Sequence, residues 1–370
     1  MTFAPLLLLF AQSVTWEQAG AVIDRWCNDC HRPGQVGPFD FTTYDGASAY
    51  APEISRYLLA KKMPPWRAKP GPAEWANSRR IPDRSIGLIL DWINQGAKAG
   101  GEAVVRKRHP QWNLGAPDLV VSQPEEHTVS GEKTVDIVSF VIGPQELGTE
   151  TQERFVQGIE FRPSNRNLLH HAVLRSGGKP LAAWSMPDTG LRLPAGVAWR
   201  LPKGMPLEVE LHYFKRTLRP AYDLTRLALY FAKQPPQRQA YLLEATKPDI
   251  RIPAGANLHK EQTKFTVPEA VQLHAVLPVF QLLAHSIRMR PSGKRDWTLW
   301  VEPYEHHLMS SYVFAQPLRL VKNSVLELEA TYDNSTQNEF NPHKKLREVI
   351  FAENGLDETF RFWLTVSRPR

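Results

Sequence analysis

Cysteine is nearly absent: the 370 residues contain two, Cys27 and Cys30, so no disulfide framework can staple the chain. Long apolar runs are missing too. The stretch Ala4 to Ala11 (APLLLLFA) is far short of the ~20 residues that a membrane-spanning helix needs. It reads instead as the core of a secretory signal peptide over residues 1–13, although no Lys or Arg precedes it. Charge of one sign is not concentrated. The net charge is +7, yet basic residues cluster only at Arg106-Lys107-Arg108, a solvated linker, and nucleic acid is excluded as a partner. Low-complexity tracts and internal repeats are lacking, and a 42% hydrophobic content excludes wholesale disorder.

Proline, by contrast, is plentiful, with 31 residues against 22 glycines, and it works against long uninterrupted helices. Residues 14–108 carry short helical patterns. Ala19 to Trp26 and Ala51 to Leu59 have helix-compatible spacing, and Ile86, Leu88, Ile89, Leu90, Trp92 and Ile93 fit a helix that opens at Pro82 and ends near Gly96. After the linker Asn113 to Asp118, the texture changes to alternating runs between turn residues. Val135 to Val141, Leu207 to Tyr213 and Leu326 to Tyr332 have the period of two of half-buried strands. Many such strands amid Pro and Gly predict two antiparallel β-sandwiches, 118–234 and 238–368, divided at Gln234-Pro235-Pro236.

The two cysteines lie in Cys27-Asn28-Asp29-Cys30-His31, the C-x-x-C-H pattern of c-type haem attachment. Two thiols one turn apart add to the two haem vinyl groups, and the adjacent imidazole reaches the iron. A redox dithiol or a zinc half-site would use the same thiols. Zinc, however, needs a second ligand pair that the sequence does not offer, and the βαβ context of a thioredoxin is missing. Haem is attached on the oxidising side of bacterial membranes, which predicts a periplasmic or secreted protein. Elimination points to Met63 as sixth ligand, presented by the stiff loop Lys61-Lys62-Met63-Pro64-Pro65-Trp66. His109 and His127 are the alternatives.

Cys30 to Gln35, Gly37-Pro38-Phe39, Thr43-Tyr44 and Met63-Pro64-Pro65-Trp66 together resemble the cytochrome c module that precedes copper type II, ascorbate-dependent monooxygenase-like domains in a set of bacterial secreted proteins. Downstream, His170-His171 and Leu211-His212-Tyr213 are similar to the His-His and Leu-His-Tyr motifs of peptidylglycine α-hydroxylating and dopamine β-monooxygenases. Imidazole suits copper. Adjacent strand residues point to opposite faces, so the bare pair His170-His171 is a weak signal unless it sits at a strand end or bulge. The resemblance extends to Leu201-Pro202-Lys203-Gly204, Tyr332 to Ser335 and Asn341-Pro342.

The resemblance implies a small all-α cytochrome c domain followed by two β-sandwiches, with haem c on Cys27, Cys30, His31 and Met63. It further implies one copper on His170, His171 and His212, an unidentified small-molecule or peptide substrate, and an ascorbate-like or protein electron donor. The oxygen-activating copper of the family is not matched: Val279, Gln281 and Thr359 stand where its ligands would be. His274, His285, His306, His307, Met289 and Met309 are the residues from which such a site could be rebuilt. The expectation is a haem and copper redox protein of this family, with the hydroxylating step left without its metal. The alternative is a non-catalytic electron-transfer or binding protein on the same scaffold.

Overall fold

The computed structural model describes residues 13–101 and 110–370. The expected signal core, the Arg106-Lys107-Arg108 cluster and His109 lie outside the described residues. The chain divides into two compact units. One holds residues 67–78 and 110–370, and the other holds the rest.

The smaller unit is helical. Its first helix, Trp16–Trp26, is opened by Thr15, whose backbone N–H donates to Gln18 Oε1 at 2.9 Å. Trp16, Ala19, Gly20 and Ile23 form its buried stripe, at the i, i+3, i+4, i+7 spacing of one helix face. The helices Ala51–Leu59 and Asp83–Asn94 close over this stripe through Ile54, Leu58, Ile89 and Trp92. Trp16 and Trp92 meet at 5.5 Å between ring centres.

The larger unit is built from a nine-stranded sheet and two four-stranded sheets, with two further two-stranded ribbons. One four-stranded sheet consists of Val135–Ile142, Leu207–Phe214, Leu169–Ser176 and Lys179–Ser185. The other consists of His259–Thr266, Val325–Tyr332, Ala284–Pro291 and Leu299–Val301. Each of the three alternating segments singled out in the sequence forms a strand.

The expected architecture of a cytochrome c-type domain with two separate sandwiches does not hold. The chain is mostly β, with five α-helices among the described residues. The β segments on either side of Gln234-Pro235-Pro236 belong to one sheet. Val197–Leu201 runs parallel to Arg238–Thr246, placing Val197, Ala198 and Trp199 beside Arg238, Gln239 and Ala240. Arg238–Thr246 in turn pairs along its length with Arg361–Pro369, which also pairs with Val271–Val279. Alternation tells which face of a strand is buried, but it does not name the neighbour. Several of these central strands are buried on both faces and carry no alternation at all, as in Arg361–Pro369.

The loop that follows Val271–Val279 is organised by Glu358, which is fully buried. Its carboxylate accepts the backbone N–H groups of Gln281, Leu283 (3.0 Å) and Thr359 (2.8 Å). Burial pushes its pKa up to about 8 against the pull of those donors. Glu358→Ala should leave these N–H groups without acceptors and cost about 3 kcal/mol or more, read as a lowered midpoint in urea unfolding. An unchanged midpoint would contradict this role.

Candidate functional site

Two places in the chain gather chemistry-bearing side chains, one in each unit. In the helical unit, Cys27 caps the first helix, its N–H donating to Ile23 O at 2.8 Å. The N–H groups of Cys30 (3.1 Å) and His31 (2.8 Å) then fold back onto Cys27 O, so the C-x-x-C-H segment makes a single turn. Neither cysteine is in a disulfide, and both are half-buried. Burial, and then the nearby Cys30, push the Cys27 thiol up to about 12. A thiol held protonated is a poor disulfide exchanger and a poor zinc ligand, because both need the thiolate.

The His31 imidazole is held in a cradle. One face stacks on Phe41 at 4.5 Å and 16°. On another side lies Gly37, where an added Cβ would stand 2.6 Å from His31 Nδ1, so only glycine fits. Gly37 N–H donates to Cys30 O at 2.8 Å, and Phe41 N–H to His31 O at 3.0 Å, which locks the loop around the ring. Desolvation lowers the His31 pKa, partly offset by the Phe39 carbonyl, so the ring is neutral and available as a donor. Met63 is partly exposed, and its N–H donates to Tyr57 O at 3.3 Å. His127, an alternative sixth ligand, instead lies in the β unit with Nε2 3.0 Å from Asp136.

In the β unit, the structure brings His170, His171 and His212 together. A register shift between Leu169 and His171 lets both members of the adjacent pair turn to one locality. The Nδ1 atoms of His170 and His171 lie 3.1 Å apart, and the His171 ring stacks on His212 at 4.0 Å. The outer nitrogens are committed: His170 Nε2 donates to His306 O at 2.8 Å, and His212 Nε2 pairs with Glu210 at 2.7 Å. His212 and then burial act in opposite directions on Glu210, and with Arg175 the result is a pKa near 2. Burial lowers His170 to about 4 and holds His171 well below the usual imidazole value. Even so, among the described residues no group of three or more His, Cys, Asp or Glu side chains is arranged to hold a metal ion.

In the sequence His306 is only one of several spare histidines, yet it does most to hold this cluster. Its ring stacks on His170 at 4.0 Å, and its Nε2 lies 3.0 Å from Gln281 Oε1, which leaves a buried Nδ1 without a hydrogen-bond partner. Glu210 is within reach of sequence reasoning, two positions before His212 on the same strand face. Of the positions where the resemblance lacked metal ligands, Thr359 Oγ1 donates to Val279 O at 2.9 Å, and Gln281 supports His306. The other histidines and methionines are spread out. His274 Nε2 meets Ser367 Oγ at 2.8 Å, Met289 is buried in its sheet, and Met309 packs among Val173, Leu277 and Trp363. The His285 carbonyl accepts from Tyr304, and His307 is desolvated beside Glu305.

No family model and no curated protein matches the chain. Among solved structures, it is similar to the major capsid protein P2 of bacteriophage PM2, at 9% identity and a TM-score of 0.31, over 68% of this chain and 97% of that one. It is also similar to the STIV MCP, at 8% identity and 0.32, over 67% and 96%. A Paenibacillus xanthan lyase follows at 10% identity and 0.19, over 67% of this chain and 25% of that one. At these scores the likeness assigns no function. With no matching family and no cytochrome or monooxygenase among these structures, membership of the copper monooxygenase family is withdrawn. The haem-to-copper redox function built on that membership goes with it.

The buried histidines make stability depend on pH. His274 is lowered from 6.5 to about 4, by burial and then by Arg238, and His170 is lowered similarly by burial. Above pH 6.5 both states are neutral. Between 6.5 and 4 the unfolded chain takes up the proton first, so stability falls as pH falls, by up to ~1.4 kcal/mol per pH unit for each such group. His274→Gln should make the decline measured by urea unfolding between pH 6.5 and 4 shallower. An identical slope would show that His274 carries none of it.

Proposed function

We propose that the helical unit carries haem c covalently, through thioethers to Cys27 and Cys30, with His31 as the proximal ligand and Met63 as the candidate sixth ligand. The observation that carries this reading is the joint geometry of the turn. Two thiols sit on one backbone loop, and the following imidazole is neutral and clamped between Phe41 and the bare backbone of Gly37. When bound, haem supplies an iron whose behaviour is set by its axial ligands and by the polarity around it. The chain's part is to hold the ring of His31 fixed and to keep it free of a proton. This reading puts the protein on the oxidising side of a bacterial membrane. No helix among the described residues is long and apolar enough to cross one.

The test is to produce the chain in a host that attaches haem c and to denature it in acid. Haem should stay with the polypeptide and be lost from Cys27→Ala/Cys30→Ala. Haem released from the parent chain, or retained by the double variant, would overturn the assignment.

A second reading concerns one copper ion at His170, His171 and His212, and the donor pair favours it. Nitrogens 3.1 Å apart can share an ion at the usual ~2.0–2.1 Å imidazole distance. Acceptors on the far nitrogens of His170 and His212 orient those rings, as partners of metal-bound histidines do. Only that pair is in place, and His212 would have to turn to join it. Elemental analysis after copper loading should give about one ion per chain, weakened at least tenfold by His171→Ala. Equal retention by the variant would remove copper from the account.

A further inference from the structure

We propose that two copies of this chain join edge to edge through the strand Val135–Ile142, antiparallel about a two-fold axis at Ser139, so that the sheet of one copy continues into that of the other. The inference concerns the larger unit alone and is independent of the haem and copper readings.

An outer strand offers unpaired N–H and C=O groups to other strands, and proteins protect such edges by shortness, charge, proline or a covering segment. The other terminal strands of the three larger sheets show each device. Leu119–Ser122 has only four residues. Lys179–Ser185 opens with Lys179 and Pro180, and His259–Thr266 carries Lys260, Glu261 and Lys264. Leu299–Val301 and Tyr312–Leu320 are covered by the segment 67–78, where Lys69 N–H donates to Trp300 O at 2.7 Å and Ala315 N–H to Glu74 O at 2.8 Å. Val135–Ile142 is terminal in its sheet too, yet it has eight residues, no proline and no basic residue. Its one charge, Asp136, is already engaged by Lys133 at 2.8 Å and His127 at 3.0 Å.

The open backbone groups and the open side chains belong to the same residues. Lys215 N–H donates to Thr134 O at 2.8 Å, and from there the strand runs opposite Leu207–Phe214 without a register shift. By antiparallel alternation the even-numbered residues bond inward, so Ile137, Ser139 and Val141 turn both backbone groups outward. Among the described residues no backbone group pairs with them there. Their side chains are exposed as well, Ile137 to 42% and Val141 to 62%.

Self-pairing has one register that uses all three. The Val135 end is closed by Gly355, where an added Cβ would collide with Val135 Cγ2, so the accessible stretch is 137–141 and its centre is Ser139. About a two-fold axis at that point, Ile137 of each copy lies opposite Val141 of the other, and Ser139 lies opposite Ser139. All are outward-bonding residues, so each pair can exchange both of its hydrogen bonds. The exposed aliphatic side chains then cover one another across the seam, and on the other face Val138 lies opposite Phe140. With Asp136 neutralised within its own copy, no like charges meet. A slip of one residue would set outward groups against inward ones and move the side chains to the wrong faces.

Sedimentation velocity of the full chain over roughly 1–100 μM, a range in which weak homodimers come apart, should show a concentration-dependent dimer. As the dimer forms, hydrogen exchange at the Ile137, Ser139 and Val141 amides should slow, while that of the already paired Val138 and Phe140 amides should not. Val141→Lys changes an exposed side chain. It should leave the circular dichroism unchanged and weaken the dimer about tenfold or more, because the substitution enters the seam twice. Ser139→Pro removes an outward N–H and no bond to Leu207–Phe214, and should weaken the dimer similarly; if it does not fold, Val141→Lys decides. A chain that is monomeric throughout the range overturns the proposal, whichever other strand the edge then accepts. So does a dimer whose edge amides exchange as fast as in the monomer, or one that folded Val141→Lys leaves intact.

Discussion

The larger unit depends on one strand being buried from both sides. In Arg361–Pro369, consecutive side chains point to opposite faces. Trp363 packs with Val173, Ala183, Leu277 and Met309 on one side. Phe362 meets Phe280 and Phe360 on the other, and Phe280 reaches Tyr332 of a four-stranded sheet. Truncating an aromatic at such a position typically costs about 3–5 kcal/mol. The strand therefore joins material from the early and the late β segments, and the turn at Gln234-Pro235-Pro236 passes inside a single packed body.

The two candidate sites solve the same problem in different ways. An imidazole intended as a donor must be neutral and must not rotate. At His31 apolar contacts achieve this: a phenyl face, and a backbone close enough to exclude a methyl group. In the β unit polar contacts stop the rotation, while burial keeps His170 and His171 neutral. His306 O and Glu210 take the outer N–H groups of His170 and His212, while Arg175 at 3.3 Å keeps Glu210 charged. Arg361, tied to Glu244 at 2.7 Å, adds its positive field against protonation of His171.

Local features of the chain are legible in the sequence. The stripe from Trp16 to Ile23, the strand Leu207–Phe214 and the C-x-x-C-H turn all follow from spacing, because their partners lie within a turn or on an alternating face. Pairing at long range is not legible in this way. Nothing in Val197–Leu201 says that it will lie parallel to Arg238–Thr246, and nothing near His170 announces the carbonyl of His306. The family resemblance supplies an arrangement for these distant parts, and that arrangement keeps apart two halves that the structure joins in one sheet. Gly37 lies within a segment that carries the resemblance, but the reason for a glycine there, the ring it makes room for, belongs to the folded chain alone.

The segment 67–78, which pairs with strand edges of the larger unit through its backbone and Asn77, also bears on synthesis. Its edge partners lie more than 230 positions later in the chain, 236 in the case of Asn77 and Val313. At ordinary translation speeds of about 5–20 residues per second, the ribosome takes roughly 10 to 50 s to deliver them. During that interval the segment between the helices Ala51–Leu59 and Asp83–Asn94 has no sheet to join. The helices can pack through their own apolar stripe, but the extended stretch they bracket must wait as an unpaired strand, open to chaperones or to neighbouring chains. A piece of the larger unit is thus among the first parts of the chain to be made and among the last to find its place.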